Sequence, residues 1–315
     1  MKIVFLDAKT VGDDIDLSGF SQYGELVLYD NSSPEEAAER AVDADVLMVN
    51  KVPVNRETIG RASGLKLVLE TATGVNNLDL DYLKERGIQW RNAAGYSTES
   101  VAQHTFALLF YLLENMYTFD RYVKSGDYTR SGNFTLVDPP YNELCGKTWG
   151  IIGLGTIGRR VADIATAFGV QVIYASASGR PPQEGYPQVS LDELYQRSDI
   201  ISVHAPLNQY TEHLIDKEAF RKMKNHCIFL NLGRGPIIVE EDLVWALNEK
   251  QIQGAGLDVL DVEPMPEDCP LYGYEDSSRL VITPHVAWAS REARKRLMDI
   301  ILNHLKDFAD QEESS

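Results

Sequence analysis

The stretch that most constrains this chain is Thr148–Gly158, read as T-W-G-I-I-G-L-G-T-I-G. Trp149, Ile151 and Ile152 predict a buried strand, and Gly153, Gly155 and Gly158 space the turn after it. From Arg159 onward, Val161, Ile164, Ala165 and Phe168 recur at helical spacing. Strand, G-x-G-x-x-G turn and helix in that order form a dinucleotide-binding fingerprint. Gly153 permits the tight turn, Gly155 lets a pyrophosphate reach the backbone, and Gly158 lets the helix pack close to the strand. The first N–H groups of the helix, from Thr156 and Ile157 on, then face the phosphates with the positive end of the helix dipole behind them. Glycine-rich turns are common, so the glycines alone would say little. The strand before them and the helix after them make the reading specific.

A length of 315 residues suits two domains of ordinary size. Thirty basic against 47 acidic side chains leave a net charge of −17. Such a surface repels nucleic acid and anionic membranes, so neither is expected as a partner. The N-terminus reaches Asp7 and Asp13 too early for a signal peptide, and no apolar run approaches a membrane span. Cys145, Cys227 and Cys269 are widely spaced and show no metal-binding pattern. Reduced thiols, a cytoplasmic location and no metal are therefore expected.

Four strand-like runs open the chain: Lys2–Asp7, Glu25–Tyr29, Asp45–Asn50 and Lys66–Glu70. Helix-like segments alternate with them at Pro34–Val42, Asn55–Ala62 and Asp79–Arg86, the first opening on Ser33-Pro34. This alternation predicts a parallel sheet covered on both faces, a small α/β unit ending near Ala94. A long apolar helix is expected from Ser97 to about Gly126, and an irregular loop over Asp127–Glu143. A second α/β unit follows with six candidate strands: Trp149–Ile152, Gln171–Ala175, Ile200–His204, Cys227–Asn231, Gly254–Leu257 and Leu280–Ile282. A last helix, about Ser290–Phe308, lies beyond the sixth strand and is positioned to return to the first unit.

In a doubly wound sheet the ligand binds beyond the carboxyl ends of the strands. Three chemically useful residues follow successive strands there: Arg234 in N-L-G-R-G, Glu263 in L-D-V-L-D-V-E-P, and His285 in T-P-H-V-A-W. Arginine's planar fork suits a carboxylate and can polarise a carbonyl. Histidine gives and takes a proton near neutral pH, and a glutamate beside it holds one tautomer and favours the charged ring. Each alone has an ordinary structural reading: a packed histidine, a solvated loop glutamate, a turn arginine. Their convergence downstream of a nucleotide loop argues for catalysis.

With these blocks in hand, the chain resembles the D-isomer-specific 2-hydroxyacid dehydrogenases over nearly its whole length. The resemblance is carried by A-T-G-V-N-N (Ala72–Asn77), G-Y-S-T-E-S-V-A-Q-H-T (Gly95–Thr105), G-L-G-T-I-G (Gly153–Gly158), V-H-A-P-L (Val203–Leu207), N-L-G-R-G (Asn231–Gly235), L-D-V-L-D-V-E-P (Leu257–Pro264) and T-P-H-V-A-W (Thr283–Trp288). Within the family it is most similar to the glycerate dehydrogenase/hydroxypyruvate reductase branch. The resemblance implies two doubly wound α/β domains. Residues 1–96 and 289–315 would form a flavodoxin-like substrate domain, residues 97–288 an inserted Rossmann NAD(P)-binding domain, and the active site would lie in the cleft. It implies reversible hydride transfer between a nicotinamide cofactor and C2 of a 2-oxo or 2-hydroxy acid. Arg234 would bind the substrate carboxylate, His285 would be the acid/base and Glu263 its partner. The backbone of Thr73 and Gly74 would complete the carboxylate site. Val101, Gly155, Thr156, Ile157, Ala205, Pro206, Leu232 and Asp258 would line the cofactor, and the protein would be a homodimer built around Thr98–Lys124.

One position departs from the pattern. NAD-preferring members usually place an acid at the end of the second strand, to bond the ribose 2′-hydroxyl. Here that strand reads V-I-Y-A-S-A-S-G-R, with Ser176 at the matching position and Arg180 close behind. Ser176 with Arg180 would suit a 2′-phosphate, and Ser176 alone would also tolerate the hydroxyl, so both NADH and NADPH stay open. Lys51, after the third strand of the first unit, is a candidate second cation for the substrate. Tyr96, Tyr128, Phe134 and Trp288 could wall a pocket or simply pack in the core. His104, inside the long helix, reads as a packed polar residue. Two rivals share the architecture: a nicotinamide-sensing binding protein of the co-repressor type, and formate dehydrogenase. Glu263 counts against the latter, because formate oxidation leaves no proton for a His–Glu pair.

Overall fold

The computed structural model describes residues 1–179 and 181–313, apart from the side chain of residue 313. Its contacts divide the chain into two compact units, one of Met1–Ser97 with Ala289–Ser315 and the other of Thr98–Trp288.

The first unit carries strands β1 (Lys2–Phe5), β2 (Glu25–Leu28), β3 (Val46–Val49), β4 (Leu67–Glu70) and β5 (Gln89–Asn92) in a parallel sheet of order β2-β1-β3-β4-β5. This is the flavodoxin-like 2-1-3-4-5 order. β3 and β4 are buried at every position, as parallel strands covered on both faces must be. Helices α1 (Pro34–Arg40), α2 (Arg56–Ile59) and α3 (Leu80–Arg86) connect them. α1 starts on a capping box between Ser33 and Glu36 with Pro34 in the first turn, so the local start signal holds. β5 escapes the sequence reading because Q-W-R-N is a partly exposed edge strand without a continuous apolar run. α2 is shorter than the Asn55–Ala62 expectation.

The second unit begins with α4 (Thr98–Leu113), α5 (Met116–Lys124) and α6 (Asp127–Ser131). The single long helix expected over this region is interrupted at Asn115, whose φ of 50° is left-handed and cannot continue a right-handed helix. α6 likewise occupies the start of the segment read as loop. α4 packs its apolar residues into the core with Trp149 and Val161, whereas α5 has no buried residue.

Strands β6 (Thr148–Ile152), β7 (Gln171–Ala175), β8 (Ile200–Val203), β9 (Ile228–Asn231), β10 (Gly254–Leu257) and β11 (Leu280–Ile282) form a parallel sheet of order β11-β10-β9-β8-β6-β7. The six runs read from sequence are all present. They are not the six strands of the usual 3-2-1-4-5-6 order, however. A single parallel bridge from Gln188 to Tyr174 stands at the β7 edge where the third strand belongs, and β11 is a seventh. Helices α7 (Thr156–Ala167), α8 (Leu191–Arg197), α9 (Lys217–Lys222) and α10 (Glu240–Asn248) complete this unit. α11 (Arg291–Glu313) belongs to the first unit, where Arg294 bonds Val11 O at 2.7 Å and His304 Nε2 lies 3.2 Å from Asn92 O.

Candidate active site

The glycine turn between β6 and α7 has the three properties its spacing predicts. Gly153 adopts φ 93°, and a Cβ there would come within 2.9 Å of the Ala205 backbone. Gly158 is buried, and a Cβ would meet the Gly153 carbonyl oxygen at 2.2 Å, so α7 packs on β6 as closely as backbone permits. Gly155 is exposed, and a Cβ would meet no atom within 4 Å. The open space therefore lies at the one glycine whose job is to let a ligand approach. Gly155 caps α7 without a side-chain hydrogen bond, so the first N–H groups of this 12-residue helix point outward unclaimed by a side chain. A pyrophosphate fits this turn on steric and electrostatic grounds.

Of the other residues expected to line the cofactor, Val101, Ala205 and Leu232 are buried, Ile157 is half-buried, and Thr156 and Pro206 are exposed. Ser176 ends half-buried just beyond β7, and its carbonyl accepts the Gly179 N–H at 3.2 Å. Arg180, the suggested 2′-phosphate partner, lies outside the described residues.

The catalytic candidates follow three adjacent parallel strands, β9, β10 and β11. After β9, Asn231 organises the turn: its Oδ1 accepts from Gly233 N at 3.1 Å and its Nδ2 donates to Arg234 O at 3.0 Å. Gly235 packs so tightly on the Leu260–Asp261 peptide that a Cβ would meet Leu260 O at 1.8 Å. This joins the Arg234 turn to the loop after β10. Arg234 is half-buried, and its Nη1 donates to Gly233 O at 2.8 Å. The rest of its guanidinium fork has no partner among the described residues.

Glu263 and His285 meet directly. His285 Nδ1 lies 2.7 Å from Glu263 Oε2, while Glu263 Oε1 accepts the Leu260 N–H at 3.1 Å. Both carboxylate oxygens are thus engaged, and the pair is partly shielded, with side chains 23% and 32% exposed. A carboxylate at Nδ1 selects the tautomer with the proton there and leaves Nε2 on the opposite side of the ring for chemistry. His285 itself has a left-handed backbone, φ 53°.

Asp258, expected to line the cofactor, is 2% exposed and bonds the loop that carries His285. Its Oδ1 accepts from Thr283 Oγ1 at 2.6 Å and from Val286 N at 2.9 Å, and its Oδ2 from Ala287 N at 2.9 Å. The sequence reading missed this clamp and the Asn231 turn. The only available signal was a polar residue at the end of an otherwise apolar strand run.

In the first unit, the loop after β4 exposes Thr73, whose Oγ1 donates to Ala93 O at 2.9 Å, with half-buried Gly74 beside it. Lys51 is exposed, and its backbone N–H is held by Asp7 Oδ2 at 2.7 Å. Of the aromatic candidates, Tyr96 is buried, whereas Phe134 is 91% exposed and belongs to no core. Among the described residues no group of three or more His, Cys, Asp or Glu is arranged to hold a metal ion, and no helix is long and apolar enough to cross a membrane.

Comparison with known proteins agrees with this geometry. Residues 106–287 match the family model described as D-isomer specific 2-hydroxyacid dehydrogenase, NAD binding domain. A hydroxypyruvate reductase of Blautia hydrogenotrophica is 41% identical over 314 residues, covering 98% of this chain and 97% of the relative. Among solved structures, an acyclic imino acid reductase (Bsp5) in complex with NADPH and D-Arg superposes with TM-score 0.85 at 32% identity, covering 99% of this chain and 98% of the other. The D-lactate dehydrogenase of Aquifex aeolicus, complexed with NAD and lactic acid, superposes with TM-score 0.85 at 27% identity, covering 99% and 96%. With its nucleotide turn and its His–Glu pair at neighbouring strand ends, the chain belongs to the D-isomer specific 2-hydroxyacid dehydrogenase family, oxidoreductases that work with a nicotinamide cofactor.

Proposed function

We propose that the protein interconverts a small 2-oxo acid, such as hydroxypyruvate or glyoxylate, and the corresponding 2-hydroxy acid, such as D-glycerate, with NAD(P). The observation that carries this reading is the 2.7 Å contact between His285 Nδ1 and Glu263 Oε2 on neighbouring strand ends. When bound at the Gly153–Gly158 turn, a dihydronicotinamide supplies the hydride that C2 of the 2-oxo acid accepts. His285 Nε2 gives the proton that completes the hydroxyl, and in oxidation it takes the same proton back. Glu263 fixes the ring tautomer. Arg234 pairs its fork with the substrate carboxylate and stabilises charge developing on the 2-oxo oxygen. Thr73 and Gly74 hold substrate-binding roles by family likeness, Lys51 is a candidate second cation from its place after β3, and the first unit is accordingly the substrate domain.

His285→Ala lowers turnover on the order of 10²–10⁴-fold while cofactor binding persists. The check is oxidation of NADH and NADPH with hydroxypyruvate, glyoxylate and phenylpyruvate as substrates. Cofactor binding without turnover of any of them favours a nicotinamide-sensing protein, and an unimpaired His285→Ala removes His285 from the mechanism.

For the cofactor, Ser176 places no carboxylate where a 2′-phosphate would lie, so NADPH meets no repulsion there. We take NADPH to be used alongside NADH. Comparable kcat/KM values support this, and a preference for NADH above about 100-fold, nearly 3 kcal/mol, overturns it. The exposed apolar residues Met116 and Val123 on α5, and Phe134, Val137 and Tyr141 beyond it, support the homodimer that the family likeness suggests.

A further inference from the structure

We propose that His104 is a positioning residue for His285, acting through Thr283 and Asp258; the proposal rests on the acid–base role given to His285 above. α4 sends two polar side chains to the loop after β11. Ser100 Oγ donates to Ala287 O at 2.6 Å; His104 Nε2 lies 2.9 Å from Thr283 Oγ1 and, at the longer distance of 3.6 Å, faces Asp258 Oδ1 as well.

The direction of the second contact follows from counting protons. Thr283 has one hydroxyl proton. Its short contact is with Asp258 Oδ1 at 2.6 Å, whereas Leu257 O lies at 3.4 Å. Charge-assisted bonds are the stronger kind, so the proton goes to the carboxylate. The hydroxyl oxygen is then an acceptor toward His104, and His104 must present an Nε2–H. A directional relay results: His104 Nε2–H to Thr283 Oγ1, Thr283 O–H to Asp258 Oδ1. The same Oδ1 receives the N–H of Val286 at 2.9 Å, and Oδ2 receives that of Ala287.

His285 lies between the two ends of this clamp. Thr283 on one side and Val286 and Ala287 on the other are all tied to one buried carboxylate, and the His285 N–H returns to Thr283 O at 2.9 Å. That arrangement ties the loop on both sides of His285, which sits at φ 53°, a left-handed conformation uncommon for a non-glycine residue. Without the His104 donor the Thr283 hydroxyl is free to rotate, Asp258 loses its aimed proton, and the loop can relax. A packing role alone requires only the ring's volume; the positioning role requires its N–H.

Steady-state kinetics with hydroxypyruvate on the intact protein separate the two. His104→Phe keeps the volume and removes the donor; His104→Gln keeps a donor at the same reach. The expected result is a fall in kcat of about tenfold or more for His104→Phe, with KM within about twofold. His104→Gln recovers most of the loss, and Thr283→Val reproduces it. The His104→Phe/Thr283→Val double variant is no worse than the poorer single variant. The proposal is overturned if His104→Phe or Thr283→Val keeps kcat within twofold of wild type, if His104→Gln falls as far as His104→Phe, or if the losses multiply. Where His104→Phe fails to fold, His104→Leu, which also lacks the donor, is read by the same limits. His285→Ala serves as the control: normal turnover there overturns the acid–base reading, whereas its loss beside an unaffected His104→Phe overturns only the present proposal.

Discussion

Glu70 and Asp258 are both buried carboxyls at the carboxyl end of a parallel strand, one in each unit, and their surroundings are opposite. Asp258 follows β10 and gathers three donors onto its two oxygens. Glu70 ends β4 with no exposure; its Oε2 accepts one bond from Asn77 Nδ2 at 2.9 Å, and its Oε1 is buried without a partner among the described residues. Burial is the main cause that pushes the Glu70 carboxyl up to about 8; the Asn77 bond and Lys51 oppose it and Asp7 adds to it. Asp7 itself accepts from the N–H groups of Asn50, Lys51 and Val52, and burial still raises it. The same place in the sheet can therefore serve two ends. A saturated carboxylate organises a loop, and an under-bonded one stores a proton.

Breaking the saturated member has the largest expected effect. Asp258→Ala strips two backbone N–H groups of their acceptor, at about 1–3 kcal/mol each if they stay buried, and frees the His285 loop. Turnover falls on the order of 10²-fold and the melting temperature drops. Kinetics and a thermal melt on the same sample check this, and near-normal turnover would separate Asp258 from the catalytic loop.

Glu70→Gln tests the other member through pH. The folded-state value lies above the unfolded one, so the folded chain holds the extra proton between about pH 4.5 and 8. Stability is accordingly lost as pH rises through that window, by up to about 1.4 kcal/mol per pH unit. Glu70→Gln flattens the slope and is more stable than wild type near pH 9. Urea midpoints from about pH 5 to 9 read this directly. An unchanged slope would show that Glu70 does not hold a proton.

The smallest effect belongs to Asn77→Ala, which removes the Glu70 donor and a 3.2 Å bond to Val52 O. It costs about 1 kcal/mol at pH 6 and more at pH 9, where Glu70 is ionised. Equal losses at the two pH values would mean that Asn77 does not sense the charge on Glu70.

These contrasts were invisible in the sequence for a physical reason. Strands such as V-L-M-V and L-V-L-E announce themselves because both faces are buried, and the glycine turn does so because its backbone demands are local. Arg234, Glu263 and His285 were legible as candidates because each lies in the segment after a strand of the second sheet. The hidden features are non-local or lack a hydrophobic signal. β5 is a polar edge strand, the third strand of the second sheet is reduced to one bridge at Gln188, and the break at Asn115 depends on one dihedral angle. Asp258 is expected from the family resemblance to line the cofactor, and its clamp is seen only where Thr283, Val286 and Ala287 fold against it. Glu70 ends an apolar run like any polar stop until its buried oxygen is seen to lack a donor.

The left-handed backbone at residue 285 has an evolutionary consequence. Besides glycine, few side chains accept that conformation cheaply; asparagine, aspartate and histidine are the enriched ones. Of these, only imidazole exchanges a proton readily near neutrality. A saturation library at this position would thus meet two independent pressures, one from backbone strain and one from turnover, and histidine answers both. A glutamate at residue 285 would carry the left-handed backbone strain, about 1–2 kcal/mol, on top of any change in chemistry.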